Sequence, residues 1–413
     1  MNILLLVQIF ETHEDTGSDR HFYFAKHFAA AGHDVSVITS NFDYKNARKR
    51  FASKGRVLVR NIDRICVKYI SVYDKIRGSL LKRILFFLSF FFLSIRVTWN
   101  EARPDVVYAV STPLTVGLLG VLTSWIHRCP LVFEVTDVWP DAAIHTGVVK
   151  NPLLIALARA TEMFCYRNAS SIVCLTKGIQ EIITCKGVDL RRTLLIPNGV
   201  DPALFLPVSE ETRFDIRLKY GLINKFVLMY LGAHGVYNSL DTIILCAEIL
   251  KERDDITFVL VGDGELKTML KSMACKLGLN NIIFLGTVPR SESVQLLSAS
   301  DAFLLPNLKG SFFECNLPNK LFDFLASAKP IIVSGKSESS ALVQDAGAGF
   351  VVNSRDPSAL ARVVERTSLL SPNELLTLGS SGRDYVLAHY NRRIQAQYLL
   401  DCLERKATAS YHS

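Results

Sequence analysis

The run Pro318-Asn319-Lys320-Leu321-Phe322-Asp323 sets an ammonium at the start of an apolar helical stretch and a carboxylate one turn into it. The first N–H groups of such a helix, on Asn319 and Lys320, have no acceptor within the helix, and the positive end of the helix dipole favours an anion there. Lys320 could add a direct cation, or it could be a solvated first-turn lysine. Asp323, as a carboxylate, only accepts hydrogen bonds and suits a pair of hydroxyls; its plainer reading is a solvated helix residue. Upstream, Phe258–Glu265 (FVLVGDGE) is a strand running into a glycine turn at Gly262 and Gly264, and Gly232–Ser239 is a second glycine-bearing loop that carries His234. The loop Thr12–Arg20 (THEDTGSDR) joins the first strand to a helix, with Gly17 allowing close backbone approach and Arg20 at its end. It lacks G-x-G-x-x-G, so a dinucleotide fingerprint fails. Asp137, in Thr136-Asp137-Val138-Trp139-Pro140, is the leading carboxylate of the N-terminal half; a helix N-cap is the alternative reading.

The elements that must hold these residues alternate along the chain. Strands are predicted at Asn2–Gln8, Val35–Thr39, Arg64–Ile70, Asp105–Ser111, Leu131–Val135, Ser171–Leu175 and Thr193–Ile196. The pattern restarts after Pro197-Asn198-Gly199 with Phe226–Gly232, Thr257–Val261, Ile282–Leu285, Ala302–Pro306, Pro330–Ser334 and Gly349–Val352. Continuous apolar strands separated by amphipathic helices imply parallel sheets covered on both faces. Two such series predict an α/β protein of two Rossmann-like, doubly wound domains, 1–196 and 197–380, facing each other across a cleft. A last helix, about Ser381–Lys406 within 381–413, could cross back to the first domain. Ligands of doubly wound sheets sit beyond the carboxyl ends of the strands, which is where these loops lie.

With 413 residues, 49% hydrophobic and only 21% charged, the chain can build two cores, and disorder or a long coiled coil is excluded. Nine scattered cysteines with no C-x-x-C pair fit a reducing compartment and argue against a disulfide framework or zinc site. The start MNILLLVQIF reads as a strand rather than a signal peptide, so a cytoplasmic location is expected. Lys and Arg outnumber Asp and Glu 16 to 8 in residues 1–100, which accounts for the whole net charge of +8 and suggests an anionic partner. Within that stretch Lys82 and Arg83 precede an aromatic run containing Phe86, Phe87, Phe90 and Phe91. The run is too short for a spanning helix of about 20 residues. It is either a buried core helix or an interfacial helix drawn to anionic lipid. No recognised nucleic-acid motif accompanies the basic residues.

In order and spacing the C-terminal half, FVLVGDGE, Phe284–Pro289, Ser300–Pro306, Asn316–Ala326 and Ala328–Ile332, resembles the donor half of the family-four retaining glycosyltransferases. Phe133–Pro140 (FEVTDVWP) and Ile196–Asp201 (IPNGVD) agree, and the resemblance runs from residue 2 to about 390. It is nearest to bacterial O-antigen and capsule enzymes that resemble N-acetyl-L-fucosamine transferases.

The resemblance implies the GT-B fold, no cofactor and no catalytic metal. It implies a nucleotide-sugar donor, UDP-linked, and a polyprenyl-diphosphate-linked saccharide as acceptor. It also implies attachment at the inner face of the cytoplasmic membrane and no nucleic-acid partner. Carried over, Asp323 takes the ribose hydroxyls, Asn319 and Lys320 the diphosphate, the Val288 backbone reads the base, and Gly262 keeps the turn open beside the nucleotide. Three departures matter. The family's E-x7-E pattern would put its first acid at Cys315, with Glu314 one residue away. The loop that often reads G-R-x-x-x-x-K-G has neither cation here, so His234, Arg20 or Lys309 would have to compensate. Thr136 stands where many relatives carry a histidine, leaving Asp137 as the candidate that orients the acceptor. A UDP-sugar epimerase and a noncatalytic glycan-assembly subunit are the competing functions; a nicotinamide dehydrogenase lacks its fingerprint.

Overall fold

The computed structural model describes all residues except 13, 14, 16, 17, 44–47, 53, 54, 77–79, 146, 148, 207, 308–313, 316, 412 and 413, and except the side chains of 80, 290, 291, 410 and 411. The chain divides into two compact units: Met1–Thr12 with Asp19–Pro197 and Arg393–Ser413, and Asn198–Arg392.

The first unit holds strands β1 (Asn2–Leu6), β2 (Asp34–Ser40), β3 (Phe42–Asp43), β4 (Arg48–Lys49), β5 (Val57–Ile62), β6 (Ile65–Ile70), β7 (Val106–Val110), β8 (Leu131–Val135), β9 (Ser171–Cys174) and β10 (Thr193–Leu195). Eight of them form one sheet in the order β10-β9-β8-β7-β1-β2-β6-β5, while β3 and β4 pair alone. Every residue of β7 and β8 is buried, as expected where helices cover both faces. β3 and β4 pair antiparallel, and within the eight-stranded sheet one strand departs from the parallel expectation. β5 runs antiparallel to β6 with Ile62 opposite Ile65. Asp63 and Arg64 between them both take positive φ, 48° and 67°, as a two-residue hairpin turn requires. Because β5 is an exposed edge, its sequence carries no continuous apolar run to betray it.

The second unit holds β11 (Phe226–Leu231), β12 (Ile256–Val261), β13 (Ile282–Leu285), β14 (Ala302–Pro306), β15 (Ile331–Ser334) and β16 (Gly349–Val352). All are parallel, ordered β13-β12-β11-β14-β15-β16. The single closing helix expected over Ser381–Lys406 is instead two, Pro372–His389 and Arg392–Tyr411. The first starts at a capping box between Ser371 and Glu374. The break falls where the backbone turns aside to pair with Val200: Val200 N–H donates to Tyr390 O (3.0 Å) and Arg392 N–H to Val200 O (2.9 Å). The second helix then buries Ala396, Leu399, Leu400, Leu403 and Ala407 in the first unit's core, beside Ile3 and Leu5.

Two loops of the second unit meet backbone to backbone. Gly232 N–H donates to Val261 O (3.0 Å) and His234 N–H to Asp263 O (2.9 Å). Gly262 has φ +134°, and a Cβ there would lie 1.9 Å from Gly232 O. Its glycine is therefore demanded by this packing, a reason independent of any ligand. Gly262→Ala is expected to destabilise the second unit by roughly 2–4 kcal/mol, through an adverse φ and a backbone clash together. Urea unfolding measures this; a variant as stable as the parent contradicts it.

Candidate active site

Each sheet has a point where its connections diverge, and the crevice beyond the strand ends there is the ordinary ligand site of such folds. In the second unit β11 leads to β12 on one side and β14 to β15 on the other. The loop after β11 and the helix Asn319–Ala326, which follows β14, therefore frame that crevice. The helix begins at Pro318 without a side-chain cap, and the Asn319 side-chain oxygen is buried with no partner among the described residues. Lys320 reaches back to the loop. Its Nζ donates to Tyr230 Oη (2.7 Å) and Asn238 Oδ1 (2.7 Å) and lies 4.2 Å from the Tyr230 ring centre. Among the described residues no carboxylate pairs with it. Burial of this uncompensated ammonium pushes its pKa down to about 7, since desolvation disfavours the charged form. A bound anion would reverse the shift. Asp323 lies one turn on, itself buried at 5% exposure.

His234 is not the substitute cation its position suggested. It is fully buried, with its ring 6.1 Å from Tyr230 and 6.4 Å from Phe284. Burial, aided by Lys267 and opposed by Asp263, lowers its pKa to about 4. At neutral pH the ring is uncharged and shielded, and its backbone ties the two glycine loops together. Val288 is half-buried against the second unit's core. Glu314 is half-buried; residues 308–313 before it, Lys309 among them, and residue 316 lie outside the described residues, as does Gly17.

In the first unit β1 leads to β2 on one side and β7 to β8 on the other. At their carboxyl ends sits a network the sequence reading passed over. Glu134, inside the all-buried β8, accepts from Arg20 Nε (3.3 Å) and Nη2 (3.2 Å), from His21 Nε2 (2.8 Å) and from Tyr108 Oη. Burial alone would raise its pKa; the charge of Arg20, the adjacent His21 ring and the hydrogen bonds from His21 and Tyr108 outweigh it and hold the carboxyl at about 2. The signal was there: a glutamate within the apolar run LVFEV is costly unless paired. Arg20 also donates to Pro197 O (2.6 Å) and Ile196 O (2.7 Å) and is 2% exposed. Its guanidinium is thus consumed by the fold, and it does not supply the missing loop cation. Asp137, just beyond β8, is exposed. The following helix starts at Asp141 with Ala142 N–H bonded to Val138 O, so the N-cap alternative is removed. The protein around Asp137 raises its carboxyl from the ordinary value.

The basic, aromatic segment forms a helix, Leu80–Trp99. Lys82 and Arg83 are exposed and Phe87 and Phe91 half-buried, but Phe86 and Phe90 are fully buried. The Phe86 ring lies 5.0 Å from Phe42 and its carbonyl accepts from Gln8 Nε2. These two were expected to face lipid; the helix turns them into the core and presents Leu81, Leu85, Leu88, Phe92 and Trp99 outward. Among the described residues no helix is long and apolar enough to cross a membrane, and no group of three potential metal ligands occurs.

Residues 21–199 match the family model for the glycosyl transferase 4-like domain, and residues 225–368 that for glycosyl transferases group 1. The chain belongs to the family-four, GT-B glycosyltransferases. It is 25% identical over 316 residues, 76% of this chain and 78% of the relative, to the probable glycosyltransferase WbjE of Pseudomonas aeruginosa. It is 27% identical over 282 residues (67% and 69%) to an Escherichia coli UDP-Gal:α-D-GlcNAc-diphosphoundecaprenol α-1,3-galactosyltransferase. Anabaena HepE, solved with UDP and glucose, superposes with TM-score 0.73 at 18% identity, covering 97% of this chain and 99% of that one. The N-acetyl-L-fucosamine transferase likeness has no counterpart among these relatives.

The lowered Lys320 pKa gives this glycosyltransferase a pH signature. An anion that restores the ammonium's charge raises that pKa, so binding takes up a proton above pH 7. Affinity for UDP is expected to be level just below pH 7 and to fall by at most about tenfold per unit above it. Lys320→Met should weaken binding and flatten this slope. Calorimetry at pH 6.5–9 checks both; an unchanged slope in the variant contradicts the assignment.

Proposed function

We propose that this glycosyltransferase moves a sugar, with retention of anomeric configuration and without a metal ion, from a UDP-sugar to a polyprenyl-diphosphate-linked saccharide in bacterial surface-polysaccharide assembly. The observation that carries the reading is the half-buried ammonium of Lys320, without a carboxylate partner among the described residues, beside a helix start that has no side-chain cap. Together they suit the charge that develops on a departing diphosphate, and donors aimed at developing charge contribute several kcal/mol. The acceptor class follows the undecaprenyl-linked substrate named for the Escherichia coli relative.

In the reaction the acceptor hydroxyl attacks the anomeric carbon on the face the diphosphate leaves. The new C–O bond forms as the old one breaks, and the hydroxyl proton passes to the leaving phosphate oxygen. Asp137, whose carboxyl has no hydrogen-bond partner among the described residues, orients that hydroxyl. Incubation of a UDP-sugar panel with a lipid-diphosphate saccharide in excess EDTA tests the whole reading: a product with the donor's anomeric configuration is expected. Free sugar or an epimer formed without acceptor would favour the epimerase instead. Asp137→Asn should lower kcat by about a hundredfold; full activity in that variant removes its role.

The outward stripe of Leu80–Trp99, with exposed Lys82, Arg83 and Arg96 beside it, supports docking on the anionic inner face of the cytoplasmic membrane, apolar side chains entering the headgroup region. Leu85→Glu with Phe92→Glu should reduce cosedimentation with phosphatidylglycerol vesicles at least about tenfold at unchanged melting temperature. Undiminished binding contradicts it.

A further inference from the structure

Glu134 carries more than an ion pair. Its two oxygens already accept four hydrogen bonds, two on each. That fills a carboxylate's capacity, and an ionised carboxylate donates none. The bond between Glu134 Oε1 and His21 Nε2, 2.8 Å long, therefore has the imidazole as donor. In the neutral ring the proton is thereby fixed on Nε2, and Nδ1 is left with a bare lone pair. Among the described residues Nδ1 has no hydrogen-bond partner. The His21 side chain is 14% exposed, while Glu134 and Arg20 behind it are 0% and 3% exposed. His21 is thus the one member of the network that reaches the surface, and it does so at the first turn of Arg20–Ala30. That turn follows β1, where the connections of the first sheet diverge and where a ligand of this fold would lie. Tyr108, on the intervening β7, braces the same carboxylate from the other side.

We propose that His21 is a sugar-binding residue of the first unit: Nδ1 accepts a hydrogen bond from a sugar hydroxyl, and Glu134 is the positioning residue that fixes the ring and its tautomer. A buried, saturated anion behind a slightly exposed imidazole produces a preorganised acceptor, which suits a hydroxyl donor and disfavours an anionic group. The inference rests on the transfer reaction proposed above.

His21→Gln is the informative variant. Its side-chain amide can still donate to Glu134, preserving the buried network, but it has no atom in place of Nδ1. With a short-chain prenyl-diphosphate N-acetylglucosamine as acceptor and UDP-galactose as donor, or the donor the panel identifies, each substrate is varied in turn. A fall of about tenfold in kcat/KM is expected for the substrate whose hydroxyl His21 holds, with melting temperature unchanged. A fall confined to the acceptor or to the donor says which sugar it is. Unchanged values for both overturn the proposal. If the variant does not fold, 15N spectra of histidine-labelled parent protein decide. The Nε2–H tautomer with an Nδ1 resonance that moves on adding acceptor or donor is expected, and an Nδ1 signal indifferent to both overturns it. A parent enzyme that transfers nothing would sink the reaction itself, and these spectra would still read the site.

Discussion

One buried anion organises the first unit. Glu134 sits in a strand with no solvent on either face, and its carboxylate is tolerable only because Arg20, His21 and Tyr108 converge on it. Removing one partner of such a pair strands the other charge and typically costs about 3–5 kcal/mol. The same guanidinium holds the carbonyls of Ile196 and Pro197, so the network joins the first helix, two central strands and the end of the unit's main segment. Because Glu134 is held near pH 2, this contribution is present above the ordinary carboxylate range and is lost as pH falls through that range towards about 2.

The second unit leaves its corresponding charge unmatched. Lys320 is desolvated and, among the described residues, bonded only to neutral oxygens, a state that costs stability. Arg20, buried, and Lys320, half-buried, are both desolvated cations near strand ends, yet their surroundings differ. Arg20 has its counter-ion and builds the fold; Lys320 has none among the described residues, which is what the proposed diphosphate site requires. Unpaired, desolvated charge in a ligand crevice is what a binding site requires and what a fold otherwise avoids.

The sheets were legible because parallel strands buried on both faces must be continuous apolar runs: β8, β13, β14 and β16 fall where the pattern puts them. The hairpin strand β5 escaped because an exposed edge needs no such run. The break at Tyr390-Asn391 escaped because it is set by pairing with the distant Val200. Local chemistry singled out His234 and Arg20 as spare cations without showing that both are packed away inside the fold, since residue type does not reveal what a side chain is packed against. Helix Leu80–Trp99 shows the same gap: its apolar content was plain, but only the neighbouring Phe42 and Gln8 decide that Phe86 faces inward. Glu134 and His21 were on the page as letters 113 residues apart.

The most direct test of a metal-independent UDP-sugar transferase is thermal unfolding with UDP, GDP, dTDP or NAD, each at about 1 mM in excess EDTA. A ligand far above its dissociation constant raises stability by a few kcal/mol. Stabilisation by UDP, absent with the others, is the predicted result. No stabilisation by any nucleotide would contradict it and leave a subunit that has lost its donor site.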